Sequence, residues 1–337
     1  MPEFSSNLWN RYWHLLGHRS ELGRPKDFVR FNVASEEVVL FNDGAEIIAF
    51  DNRCPHRGAR IFDDDSGNQP FLCRYHGWSY SKGKIFVADK SQFTHCDLSQ
   101  LAVNRLNIEW LGDFLFVSKS PCMPLAEQLG SLADIITPIS TSIDRLHDFN
   151  SYEYECYWPI AVENALEPYH VSSIHPTSLN RLNLMEGRNE YIGLNSIWYT
   201  EVGHEQTAKR LKKLQKMFDM GFAHPGYINI FLFPFSMISS TFGLSYSVQN
   251  FLPTGNDKHA GFYSRLYKAR VRQGINPLLF DDFFSSTAQL NHQVFQEDRA
   301  ICARVAHDTW STIAPSVYAR SEERLVYFRE ACRAAKL

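Results

Sequence analysis

Two short runs in the first third of the chain bring sulfur and imidazole together. Sixteen residues separate Cys54-Pro55-His56 from Cys73-Arg74-Tyr75-His76. Thiolate and imidazole suit zinc, and they also suit iron–sulfur chemistry. The way the ligands are shared between the loops separates the two. Structural zinc loops usually supply like pairs, as C-x2-C or H-x3-5-H. Here each loop supplies one of each type, as C-x-H and C-x2-H. A [2Fe–2S] centre in which two cysteines hold one iron and two histidines the other needs that mixed supply.

Such a cluster moves single electrons, so a second centre must receive them. The run Glu163-Asn164-Ala165-Leu166-Glu167-Pro168-Tyr169-His170-Val171-Ser172-Ser173-Ile174-His175-Pro176 offers two imidazoles. Five residues apart, His170 and His175 lie about 140° from each other on a regular helix at ~100° per residue. Both reach one metal only if the helix ends or distorts between them, and Pro176 fits a helix end. Two histidines and one carboxylate form the facial triad of non-haem Fe(II) oxygenases. The carboxylate must come from elsewhere, and the pattern from Leu290 to Val305 supplies a candidate. Leu290, Val294, Phe295, Ile301, Cys302 and Val305 form one apolar arc of a helix, with Asp298 near its middle and Glu297 at its edge beside Gln293 and Arg304. An acid in the centre of an apolar face must be paired, protonated or metal-bound, which favours Asp298 as the third ligand over a salt-bridged helix acid.

The elements that carry these residues divide in two. At 337 residues the chain has room for about two domains. From about residue 30 to 118 short strands alternate with tight turns. Glu37–Phe41 and Glu46–Phe50 flank Asn42-Asp43-Gly44, and Ile108–Leu111 and Phe114–Val117 flank Gly112-Asp113, two hairpin patterns. Ser81-Lys82-Gly83-Lys84 precedes a further strand at Ile85–Val87. Residues 1–34 are expected to be a helical segment, 35–120 the cluster domain, and 121–150 a proline-bounded connector with one short helix at 125–136. Residues 151–337 read as an α+β unit, with a helix around 162–174, strands in 191–202, 227–252 and 261–271, and closing helices near 277–307 and 321–335.

With both site patterns in view, the chain resembles the oxygenase (α) subunit of Rieske non-haem iron oxygenases over nearly its full length. The resemblance rests on Cys54-Pro55-His56-Arg57-Gly58, on Cys73 to Trp78, on the acid-x2-His-x4-His run and on the late Glu-Asp helix. It implies an N-terminal all-β Rieske [2Fe-2S] domain followed by a helix-grip (START/Bet v 1-like) catalytic domain. It makes Cys54, His56, Cys73 and His76 the cluster ligands and His170, His175 and Asp298 the ligands of a mononuclear Fe(II). It places Glu167 as the acid that bridges to a cluster histidine of the neighbouring subunit in a head-to-tail homotrimer. A carboxylate there can accept an N–H from each of two metal-bound imidazoles and so link the centres. Most ring-hydroxylating members carry aspartate at that position. The Glu-x-Tyr-His setting is similar to the branch that oxidises quaternary ammonium compounds such as carnitine and glycine betaine. The resemblance also implies O2 as co-substrate and an NAD(P)H-dependent reductase, acting directly or through a ferredoxin. The products would come from mono- or dioxygenation or oxidative demethylation of a small organic molecule.

Composition bounds the alternatives. Lys plus Arg total 34 against 37 Asp plus Glu, a net charge of −3, so no basic excess matches a nucleic-acid backbone. The most apolar stretch, Tyr227 to Ile238, is too short for a membrane span and contains Pro234. The polar N-terminus lacks a secretory pattern, and seven cysteines in so long a chain do not form a disulfide scaffold. A cytoplasmic protein is expected, with Cys96, Cys122, Cys156, Cys302 and Cys332 buried or inert. Substrate-pocket walls are expected from Ile197–Tyr199, Phe231–Phe235, Met237, Phe242, Tyr246 and the region of Asn291. Two other readings compete: a Rieske-type electron carrier without oxygenase activity, and a zinc-stabilised interaction module. Loss of His170 would leave a carrier working, and a zinc module would be colourless.

Overall fold

The computed structural model describes residues 2–222 and 224–335. After helix α1 (Pro2–Arg11) come strands β1 (His14–His18), β2 (Asp27–Val33), β3 (Glu36–Asn42), β4 (Ile47–Asp51) and β5 (Ser66–Asn68). The small strands β6 (Phe71–Leu72), β7 (Ser79–Ser81) and β8 (Lys84–Phe86) form a separate three-stranded sheet. Strands β9 (Arg105–Leu111) and β10 (Phe114–Ser118) complete the main sheet of this unit, in the order β1-β10-β9-β4-β3-β2-β5. The two expected hairpins are β3–β4 and β9–β10. Asp43 closes the first, accepting the amides of Ala45 (2.8 Å) and Glu46 (2.9 Å). Its second oxygen accepts the Gly83 amide at 2.8 Å, so one carboxylate ties this turn to the β7–β8 turn.

Of the expected helical segment 1–34, only Pro2–Arg11 is α-helix among the described residues; β1 and β2 are strands of the main sheet, with a single 3-10 turn at Arg19–Glu21 between them. The connector also differs from expectation. It holds two helices, α2 (Leu125–Leu129) and α3 (Ala133–Ser142), and it ends early, because β11 (Ile143–Tyr154) is already an edge strand of the second sheet.

Helices α4 (Trp158–Leu166) and α5 (Val171–Ile174) follow, then β12 (Arg188–Ile192), β13 (Asn195–Thr200), α6 (Glu205–Gln215), β14 (Tyr227–Leu232), β15 (Ser236–Thr241), β16 (Ser245–Pro253) and β17 (Ala260–Ala269). Helices α7 (Asp281–Cys302) and α8 (Glu323–Ala334) close the chain. The second sheet is antiparallel throughout, in the order β11-β17-β16-β15-β14-β13-β12. Its alternation of side chains gives it two buried faces. Phe231, Met237, Phe251 and Phe262 meet α4, α7 and α8, whereas Ile197, Ile230, Ile238 and Val248 pack with residues of α2, α3 and β10. The result is an all-β-sheet first unit followed by a mixed α/β second unit, with the 22-residue α7 packed on the second sheet. Among the described residues no helix is long and apolar enough to cross a membrane.

Candidate metal centres

The two Cys/His loops are built alike. In the first, which follows β4, the Gly58 amide donates to the Cys54 carbonyl at 2.8 Å; in the second, between β6 and β7, Gly77 donates to Cys73 at 2.9 Å. Each glycine has φ near +70°, where a side chain would be strained. The cysteines are buried and their thiols face each other; burial raises the Cys54 pKa, while the amides of His56 and Arg57 act to lower it. Amides aimed at sulfur suit a thiolate ligand. His56 Nδ1 and His76 Nδ1 lie 3.1 Å apart, so both rings turn the same nitrogen to a common point. The His56 ring stacks on Trp78 at 4.5 Å, and His76 stacks on Tyr75 at 3.9 Å. Two buried sulfurs and two converging outer nitrogens fit the donor set of a two-iron cluster.

At the second centre α4 breaks at Glu167-Pro168, before both histidines, and the helix end expected between them comes at Ile174, where α5 stops short of His175. A residue before proline is steered away from the helical region, and Glu167 is extended, with φ −116° and ψ 140°. His170 then precedes the single turn of α5 and His175 follows it. Their Nε2 atoms are 3.2 Å apart. Asp298 Oδ1, from α7, lies 3.0 Å from His175 Nε2 and 3.6 Å from His170 Nε2. One ligand atom from each residue lies within 4.8 Å of the others. Among the described residues no donor meets the buried Asp298 Oδ1 in hydrogen-bonding geometry. That orphaned oxygen, facing two imidazole nitrogens, fits a cation between them.

The far nitrogen of each ring is held by a carboxylate. Glu167 Oε1 lies 2.6 Å from His170 Nδ1, and Glu167 Oε2 accepts the His170 backbone amide at 3.1 Å. Glu297 Oε2 lies 2.7 Å from His175 Nδ1 and accepts from Ser178 Oγ at 2.5 Å, while Gln293 donates to Oε1 at 2.8 Å. These contacts place Nδ1–H on both rings and leave the Nε2 lone pairs for a metal. Burial lowers the His175 pKa, but Asp298 and then Glu297 outweigh it and the net shift is upward.

Glu297 is therefore the orienting partner that the sequence reading missed, although its place beside Gln293 at the edge of the apolar arc was visible. The arc itself stops at Cys302, where α7 ends, and Val305 is exposed. Asn164 was also missed; its amide nitrogen lies 3.4 Å from His170 Nε2. His292 pairs with Asp148 at 2.9 Å, as suits a structural histidine.

A cavity of about 80 Å³ adjoins the triad, lined among others by Trp198, Tyr227, Asn229, Met237 and Gln249. Tyr227, Gln249, Val294 and Phe295 also border a second cavity of about 100 Å³ that reaches Asn291. Of the expected pocket walls, Trp198 and Met237 line the first of these cavities and Asn291 the second. Ile197 and Tyr246 belong to the core on the opposite face of the sheet, Phe231, Phe233 and Phe235 pack in the core, and Phe242 borders a different cavity beside α6. Cys156, Cys302 and Cys332 are buried, whereas Cys96 and Cys122 are exposed.

Comparison with known proteins supplies the lineage. Residues 12–93 match the Rieske [2Fe-2S] domain, and residues 143–335 match the ring hydroxylating alpha subunit (catalytic domain). The chain belongs to the ring hydroxylating alpha subunit family. The large subunit of 2-halobenzoate 1,2-dioxygenase from Burkholderia cepacia is 29% identical over 182 residues, covering 50% of this chain and 39% of that protein. The oxygenase subunit of glycine betaine monooxygenase from Chromohalobacter salexigens is 25% identical over 179 residues, covering 52% and 40%. The matches thus span less than half the length of these relatives. Among solved structures, a quaternary ammonium Rieske monooxygenase in complex with L-carnitine superposes with a TM-score of 0.76 at 17% identity, over 99% of this chain and 91% of that one. Naphthalene 1,2-dioxygenase from Rhodococcus sp. gives 0.72 at 18%, over 99% and 91%. For a member of this family the fold is the one expected, and the cofactors are a Rieske cluster and a mononuclear iron.

Proposed function

We propose that the chain is the terminal oxygenase of an electron-transfer system. Cys54, His56, Cys73 and His76 hold the Rieske cluster, and His170, His175 and Asp298 hold the mononuclear Fe(II). When bound, these groups supply single-electron transfer and O2 activation. The protein's own part is positional. Glu167 and Glu297 fix the tautomer and tilt of the two imidazoles, while Trp198, Met237, Val294 and Phe295 exclude water beside them. The products are a hydroxylated or oxidatively demethylated small molecule. The observation that carries this reading is the convergence of two Nε2 atoms and one orphaned carboxylate oxygen, with both opposite ring nitrogens held by carboxylates.

Electrons come from an NAD(P)H-dependent reductase, directly or through a ferredoxin. A head-to-tail homotrimer, with Glu167 linking His170 to a cluster histidine of the next subunit, is supported by exposed aromatics beside each centre, Tyr75 next to His76 and Tyr169 next to His170. Among the described residues Cys54, Cys73, Cys96, Cys122, Cys156 and Cys302 form no disulfide, which suits the reducing cytoplasm.

The test is a count of iron, zinc and acid-labile sulfide on the purified protein and on His170→Ala. The wild type should hold about three irons and two sulfides per chain, two irons in the cluster and one at the triad. The variant should keep the red-brown cluster and its reducibility yet lose the third iron and substrate-dependent O2 uptake. An unchanged iron count would leave an electron carrier, and zinc without sulfide would refute the redox reading.

A further inference from the structure

Arg324, on α8, is 1% exposed and has no carboxylate among its hydrogen-bond acceptors. Its guanidinium donates to Ser196 Oγ at 3.0 Å, to Asn229 Oδ1 at 2.9 Å and to the Leu166 carbonyl at 3.4 Å, all neutral groups. Among the described residues one terminal nitrogen, Nη2, meets no hydrogen-bond acceptor. Other arginines drawn into the protein have a carboxylate nearby: Arg329 is paired with Glu163, Arg30 with Asp65 and Glu37, and Arg265, which also donates to neutral oxygens, lies in the field of the Glu21 carboxylate. Burial lowers the pKa of Arg324 to about 9, so it keeps its charge at neutral pH. A buried charge without a counter-charge is strongly disfavoured.

The position of this charge is informative. Leu166 and Asn229, two of its acceptors, line the cavity beside the metal triad, as does Tyr227. A guanidinium can only donate, which settles the orientation of the Asn229 amide: Oδ1 faces Arg324 and the NH2 group faces away. That NH2 meets the sulfur of Met237, a weak acceptor that also lines the cavity, at 2.9 Å. The Tyr227 hydroxyl lies within hydrogen-bonding reach of the Asn229 and Ser239 side chains. The cavity lining therefore combines two kinds of group, the carboxylates Asp298 and Glu167 at the histidines and hydrogen-bond donors backed by a buried cation at Asn229.

We infer that the missing counter-charge is the substrate's own: the site takes a small molecule bearing a carboxylate. The carboxylate sits beside Asn229 and Tyr227, accepting from the Asn229 amide and the Tyr227 hydroxyl in the field of Arg324. The remainder of the molecule then extends toward His170, His175 and Asp298. Arg324 acts here as a positioning and selectivity residue, since it works through Asn229. This inference rests on the oxygenase reading for the identity of the cavity as a substrate site.

The test is equilibrium binding to the iron-loaded protein by calorimetry, with benzoate and glycine betaine as carboxylate probes and benzamide as the neutral counterpart of benzoate. At least one carboxylate should bind tenfold or more tightly than benzamide, and which one binds distinguishes an arenecarboxylate from a quaternary ammonium carboxylate. Arg324→Met should remove most of that preference while leaving benzamide within about twofold. Should that variant fail to fold, Asn229→Asp gives Arg324 an internal counter-charge; it should raise the thermal midpoint and abolish carboxylate binding. Equal binding of benzamide and the carboxylates, no binding of either carboxylate, or a carboxylate preference unchanged in Asn229→Asp would each overturn the inference. Iron and sulfide counts on the same samples keep the two readings apart. Intact counts with O2 uptake stimulated only by neutral compounds would leave the oxygenase standing and this inference refuted.

Discussion

A carboxylate behind each imidazole sets what the Nε2 atoms can do, and it makes the site sensitive to changes one bond removed from the metal. Glu297 fixes His175 through a 2.7 Å contact and is itself held by Ser178 and Gln293. Glu297→Gln keeps the shape but can present its NH2 to His175 Nδ1, which disfavours the tautomer a metal needs. The expected cost is about 10–100-fold in iron affinity or activity, the usual range for such partners, read by Fe(II) titration of the apoprotein. Proton competition follows from the same contacts. The His175 pKa is raised in the metal-free protein, so below that value a proton must leave before a metal binds. Apparent affinity should therefore rise with pH by up to tenfold per unit and level off above the raised pKa. Without metal the linkage has the opposite sign. A raised folded-state pKa contributes stability that is present below the unfolded value and lost as pH climbs through the folded one. The metal-free protein should lose that contribution on going from mildly acidic to alkaline pH, measurable by urea unfolding at a series of pH values. At this scale the sequence was legible where residue type and spacing suffice, as for His170, His175 and Asp298. It was silent on Asn164 and Ser178, because neutral polar residues acquire a role only from the fold that brings them close.

The helices that carry the ligands depend on a clamp remote from the metal. Glu163, one turn before Glu167 on α4, is buried and accepts both Arg329 Nε (2.5 Å) and Nη2 (2.9 Å) from α8, as well as Trp310 Nε1 (2.9 Å). Burial raises the Glu163 pKa against the opposing pull of Arg329, so the ionised pair is tightly interdependent. Removing one partner of a buried pair leaves a bare charge, at a cost of about 3–5 kcal/mol. Arg329→Met should therefore lower the urea midpoint by that equivalent. A loss below about 1 kcal/mol would mean that water compensates the carboxylate. The sequence showed where most elements lie, since turns such as Asn42-Asp43-Gly44 and the arc of α7 carry local signals. The helix α6 (EQTAKRLKKLQ) escaped because only Ala208, Leu211 and Leu214 pack inward, and only partly, amid a run of cations. The connector was misjudged for a different reason. The strand β11 (IDRLHDFNSYEY) is largely half-exposed and charged, so it lacks the apolar alternation that marks a strand.

The two sequence-defined units are joined more closely than their separate patterns suggest. The Leu15 carbonyl accepts from Asn250 Nδ2 at 2.9 Å, the Asn32 amide donates to Tyr263 OH at 2.8 Å, and the Ala34 amide donates to the Pro253 carbonyl at 2.7 Å. The buried Arg265 donates both to the Leu16 carbonyl and to Asn250 Oδ1. One hydrophobic cluster contains Phe31 and Val38 of the first sheet together with Phe251 and Phe262 of the second. None of these pairings has a local signature, because alternation shows that a face is buried but not what covers it. Their consequence is thermodynamic. If either unit opened alone it would expose that shared apolar surface and strand Arg265, so the units should unfold together. In urea, the visible absorbance of the cluster and the far-UV circular dichroism of the whole chain should share one midpoint and one slope. Arg265→Met should shift both signals equally. A cluster signal lost well before the circular dichroism changes would show instead that the Rieske unit opens independently of the catalytic sheet.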